Sequence, residues 1–173
     1  EVRNHFPAER AGLEVKFVPD LTPYRTRKVR ILNGAHTSLV PVAYLAGFRT
    51  VMDSVNDPAI GTYIRKVIFD EIIPTLDLPA NELTQFANDV MERFQNPFIK
   101  HELLSIALNS ISKFKVRVLP SLLEYYRREG KPPENLIFSL AALLRFYKGE
   151  WGGTAIPLND SHEVVDFFAT AWR

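Results

Sequence analysis

The chain has 173 residues, enough for one domain with a sizeable core, and its 46% hydrophobic content excludes a mainly disordered polypeptide. A formal net charge of +1 gives no electrostatic reason to expect nucleic acid or an acidic membrane as partner. The absence of cysteine excludes disulfides, thiolate metal sites and cysteine nucleophiles, and is compatible with a reducing cytoplasm. No apolar run approaches the roughly 20 residues that span a bilayer. The first residues, Glu1 to His5, lack the basic-then-apolar pattern of a signal peptide, so a cytoplasmic location is expected. They also lack an initiator Met, and the chain is expected to be part of a longer polypeptide.

In chain order, Val15 to Val18 is a β-prone stretch between Gly12 and Pro19, and predicts one short edge strand. The pattern then turns helical. Tyr24 to Ala46 predicts a helix stopped by Gly47 and kinked or divided at Pro41. Asp57-Pro58 reads as an N-cap and first helical residue, opening a helix to about Ile73 with Ile60, Ile64, Val67, Ile68 and Ile72 on its apolar face. Asn81 is expected to cap a helix to Phe94. Asn96-Pro97 is expected to start another that runs through Leu103 and Ile111, bends near Lys113, and continues to Gly130. Pro132-Pro133 opens a helix through Tyr147. After the turn at Trp151-Gly152-Gly153, Ser161 is expected to cap a last helix with Val164, Val165 and Phe168 inward. The expected class is therefore all-α or nearly so, with at most one or two short N-terminal strands, in one domain.

The densest cluster of polar residues lies between Pro23 and His36. On an α-helix, Lys28, Asn33 and His36 fall at roughly 0°, 140° and 80°, on one side. A lysine, an amide and an imidazole converging on a pocket suit chemistry at a carbonyl or alcohol. The lysine can exchange the proton if burial or a neighbouring cation lowers its pKa towards neutrality, and the other two can donate hydrogen bonds to an oxygen that gains negative charge. The same residues also suit a solvated basic helix start with a structural histidine, which spacing alone favours. The four histidines, His5, His36, His101 and His162, show no metal-ligand spacing, so no metal is expected. No Gly-rich phosphate loop and no Gly-x-Ser-x-Gly elbow occur.

At these residues the chain resembles the C-terminal domain of the mannitol dehydrogenase family of long-chain polyol and hexuronate dehydrogenases. That family carries Lys-x-x-x-x-Asn-x-x-His as its catalytic signature, which Lys28, Asn33 and His36 match in order and spacing. Asp20 to Tyr24, Arg93-Phe94-Gln95-Asn96-Pro97 and Ser112-Lys113 look like further landmarks, and the run from Leu21 to His36 is similar to the hexuronate-reducing branch. The resemblance implies a multi-helical fold like the 6-phosphogluconate dehydrogenase C-terminal domain. It also implies reversible, metal-independent hydride transfer from NAD(P)H to a keto-hexuronate, tagaturonate to altronate in that branch. Lys28 would be the general acid/base, with Asn33 and His36 polarising the carbonyl. NAD would be bound mainly by an N-terminal Rossmann domain absent from this chain, so no cofactor-binding residue is expected here and the isolated domain should be inactive.

Two positions depart from the polyol-oxidising pattern. Arg25 stands where those relatives tend to have Glu, and Ser105 where they tend to have Arg. The departures suggest that a substrate carboxylate meets other cations, for which Lys113, His101 and Arg25 are candidates; a surface or helix-end role for His101 and Arg25 is the plain alternative. Fructuronate or a polyol such as mannitol is the alternative substrate. A non-catalytic helical interaction domain is the alternative class, and the near-neutral charge counts against it.

Overall fold

The computed structural model describes residues 15–173 together with His5, Phe6, Ala8, Gly12 and Leu13. Helices dominate it, as the periodicity requires. The first rod is built in three consecutive pieces: α1 (Thr22–Arg27), a π-helical turn (Lys28–Asn33) and α2 (Gly34–Leu45). From Gly34 onward the rod carries no charged residue until Arg49, and α2 is buried on nearly every side, against α4 (Pro58–Lys66), α6 (Leu103–Ile106), α7 (Ser110–Arg117) and α9 (Glu134–Phe146). The expected break at Pro41 does not occur. The helix runs through it, held by neighbours on all sides, with the Tyr63 and Ser139 hydroxyls both donating to the Ser38 carbonyl, at 3.2 and 3.3 Å. Gly47 ends the rod as predicted: at φ 100° it lets its own N–H reach the Tyr44 carbonyl and the Phe48 N–H reach that of Ala43.

A short helix the periodicity did not reveal, α3 (Val51–Asn56), follows; Thr50 caps it by accepting from the Asp53 N–H. Asp57 caps α4 as expected, accepting from Ala59 and Ile60 N–H groups at 3.0 Å each. That helix unwinds through a second π turn (Val67–Ile72) into a 3-10 turn (Ile73–Thr75). Its apolar face, Ile64, Val67, Ile68 and Ile72, is fully buried.

Glu71, 4% exposed, turns inward too. Its carboxylate accepts from the Asn135 and Leu136 N–H groups at 2.8 and 2.7 Å, and from the Asn135 amide. It thus satisfies the first-turn donors of α9, a cap supplied from 64 positions away.

Several boundaries differ from expectation. Val15 to Val18 forms no strand; it is irregular and mostly exposed. The helix α5 (Ala80–Phe94) begins a residue before Asn81, which lies in its first turn instead of capping it. Asn96-Pro97 opens no helix. The Asn96 side chain accepts from the Phe98 N–H, closing a turn, and the chain stays irregular to His101. The bend expected near Lys113 comes at Asn109, whose left-handed φ of 52° separates α6 from α7. α8 (Leu119–Glu129) then ends at Gly130, with φ 68°, as predicted. Gly152 and Gly153, both at positive φ, make the tight turn between β1 (Glu150–Trp151) and β2 (Thr154–Ala155). Finally, α10 (His162–Ala171) buries Phe168, whereas Val164 and Val165 are only half-buried and Ser161 makes no side-chain cap.

Candidate active site

The π turn changes the geometry of the signature. In a regular α-helix, residues five apart diverge by roughly 140°. Over Lys28–Asn33 the backbone instead closes i→i+5 bonds, such as that from the Gly34 N–H to the Val29 carbonyl, and residues five apart come closer together around the axis. Lys28 and Asn33 therefore share a face more closely than α spacing allows, and His36 lies one turn on.

Lys28 is exposed, and Asn33 and His36 are half-buried. Among the described residues, neither the Lys28 ammonium nor the Asn33 amide has a hydrogen-bond partner.

His36 is set in an aromatic frame. Its ring lies 4.3 Å from that of Phe94, at the end of α5, and 5.1 Å from that of His101, edge-on at 74°. The His101 backbone is pinned there because segment 101–103 pairs antiparallel with 49–51: Val51 N–H donates to the His101 carbonyl and Leu103 N–H to that of Arg49. The three rings border a cavity of about 140 Å³ with Leu32, Val51, Arg93 and Ile99. Burial, and then the charges of His101 and Arg117, pull the His36 pKa down to about 4, so the imidazole is neutral at neutral pH. Its Nε2 is buried without a partner. A buried ring nitrogen left unpaired is costly, and a substrate oxygen would satisfy it. Larger recesses, of about 510 Å³ beside Arg30 and about 600 Å³ beside Pro97, contain none of the three signature residues.

The remaining expected residues fall at different distances from this centre. Lys113 is half-buried on α7, its ammonium donating to the Ile106 carbonyl at 2.9 Å. Burial first, then Arg117, lower its pKa against the opposing pull of Asp160. Arg25 is exposed on α1, and Ser105 is exposed with its hydroxyl donating to the Glu102 carbonyl. The residue that the sequence did not single out is Arg117, one turn after Lys113; its guanidinium approaches the Thr37 hydroxyl at 3.5 Å, beside His36. No local signal marks it, since it meets Thr37 across 80 positions of chain.

The family profile described as mannitol dehydrogenase C-terminal domain matches residues 20–169. The chain belongs to that family. It is 48% identical over 173 residues to the altronate oxidoreductase of Yersinia enterocolitica and 53% identical over 165 residues to that of Pectobacterium atrosepticum, covering 100% and 92% of this chain. It spans 36% and 34% of those relatives, about a third of their length. Among solved structures it is similar to the Pseudomonas fluorescens mannitol 2-dehydrogenase ternary complex with NAD and D-mannitol, at TM-score 0.82 and 27% identity, covering 92% of this chain and 32% of that one. A D-sorbitol dehydrogenase at 24% identity and TM-score 0.78 shares the fold. The mainly helical class expected from the sequence is that of these dehydrogenases, and among the described residues no helix is long and apolar enough to cross a membrane.

Proposed function

We propose that this chain is the substrate half of a hexuronate dehydrogenase, reducing tagaturonate to altronate reversibly with NADH, and that it works against a nicotinamide-binding Rossmann domain in a longer polypeptide. The observation that carries the reading is the π turn that aligns Lys28 with Asn33, one turn from an imidazole whose Nε2 lacks a partner. The altronate oxidoreductase relatives, near 50% identity, support the acid substrate over the polyol named for the structural neighbour. The exposed apolar side chains beside the His36 cavity, Phe98 at 94% and Ile99 at 57%, support a covering domain there.

When bound, the nicotinamide supplies a hydride to the carbonyl carbon. This chain acts at the oxygen. Asn33 and neutral His36 donate hydrogen bonds to it as its negative charge grows, and the Lys28 ammonium delivers the proton that completes the alcohol. In the reverse direction the Lys28 amine takes that proton back. His101 borders the His36 cavity, Lys113 lies one turn before Arg117 on α7, and Arg25 is farther out along the rod; these are the cations offered to an acidic substrate. The residues leave the dinucleotide phosphates to the other domain, since no Gly-rich turn stands at a helix start here.

The test is NADH oxidation by the polypeptide that joins this chain to its nicotinamide-binding domain, with tagaturonate, fructuronate and fructose in parallel. Tagaturonate should have the highest kcat/KM. Fastest turnover of fructose would move the assignment to the polyol branch, and fastest turnover of fructuronate to a different hexuronate.

A further inference from the structure

On the reading just given, the substrate is an anion, and one cation near the signature must recognise its carboxylate. We infer that Arg117 is that residue, and that it sets the preference for a sugar acid over the corresponding neutral sugar.

Arg117 is half-buried on the last turn of α7, yet among the described residues it has no carboxylate partner; its one hydrogen bond is the long contact to Thr37. Burial alone, with no opposing anion, pulls its pKa below the ordinary value. A guanidinium has five N–H donors in a planar fork that matches a carboxylate. Partly desolvated and unpaired, it gains most from an anion brought to it. It is also close enough to His36 for its charge to help hold that imidazole neutral, which ties it to the reacting centre.

The chain brings α7 in to make this possible. A Cβ on Gly34, between Asn33 and His36, would lie 3.2 Å from the Arg117 carbonyl oxygen. Glycine at that position therefore lets the last turn of α7 sit against the signature helix itself.

Lys113, Arg25, His101 and Arg93 are less suited. Lys113 already donates to the Ile106 carbonyl and lies within reach of Asp160. Arg25 is exposed on α1, and His101 is engaged edge-on with His36. Arg93 borders the cavity but is itself exposed.

The experiment compares tagaturonate with tagatose, which replaces the carboxylate by a hydroxymethyl group, in the full-length enzyme and its Arg117→Gln and Arg117→Lys variants. A thermal melt of each accompanies the kinetics. The ratio of kcat/KM for acid over neutral sugar should fall about 10- to 100-fold in Arg117→Gln, mainly through KM for the acid, the effect of losing a charged hydrogen-bonding pair. Arg117→Lys, which keeps the charge but not the fork, should fall between, and it carries the test should Arg117→Gln fail to fold. A wild-type enzyme with no preference for the acid would overturn the functional reading and this inference with it. A wild type that prefers the acid, with an unchanged ratio in the variants, would overturn the role of Arg117 alone.

Discussion

Replacing Lys28 with Ala should lower kcat/KM for the sugar acid by about 10²- to 10⁴-fold, the contribution of a positioned general acid/base. The size follows from the division of labour at the site. Asn33 cannot titrate, and His36, at about pKa 4, is neutral across the working range. On the proposed mechanism, Lys28 is then the signature group left to pass a proton to and from the substrate oxygen. Because its side chain is exposed and has no hydrogen-bond partner among the described residues, the same change should shift stability by no more than about 0.5 kcal/mol, a melting change of about 2 °C. Steady-state kinetics beside a thermal melt separate the two effects. A Lys28→Ala enzyme that keeps more than a tenth of wild-type kcat/KM would remove lysine from the mechanism while leaving the fold intact.

His36 should make the domain acid-sensitive. Its folded pKa, about 4, lies below the ordinary value of 6.5, chiefly through burial and then through the charges of His101 and Arg117. Between those two values the unfolded chain binds a proton that the folded chain refuses. Stability is therefore fully present above pH 6.5 and declines as the pH falls toward 4, by about 3 kcal/mol from this group. His36→Gln cannot titrate and should escape that loss. Carboxylates change in the same window, but they do so in both proteins, so the comparison isolates the histidine. Moving from pH 7 to pH 4, the melting temperature of the wild type should drop about 10 °C further than that of the variant. Parallel curves would mean that His36 takes a proton as readily folded as unfolded. The same depressed pKa suits catalysis, because an uncharged imidazole can donate to a carbonyl oxygen without competing with Lys28 for the proton.

The sequence made the helical class legible because the signals are local: Asp57-Pro58 opens a helix, Gly47 and Gly130 close two, and Ile60 to Ile72 repeat at helical spacing. The signature residues were legible too, but their geometry was not. Angular arithmetic at 3.6 residues per turn assumes α winding, whereas Lys28–Asn33 is a π turn. Asn96-Pro97 shows the opposite limit. A cap-and-proline pair normally reads as a helix start, yet here the asparagine side chain closes a turn and the chain is diverted to pair with residues 49–51. Asn109 turned the chain with neither Gly nor Pro to announce it, its N–H bonded to the Asn159 carbonyl 50 positions on. Arg117 was hidden for the same reason. What makes it significant is a missing Cβ at Gly34 and a hydroxyl at Thr37, both far away in sequence.

On the proposed function these residues supply the chemistry at the substrate oxygen and depend on another domain for the hydride donor. The decisive assay is NADH oxidation with tagaturonate for the 173-residue chain alone and for the same chain joined to its nicotinamide-binding domain. The expected result is turnover by the joined protein and none by the chain alone, because hydride transfer needs both reactants held within a few tenths of an ångström of contact geometry. Turnover by the isolated chain, or none by either, would contradict the claim.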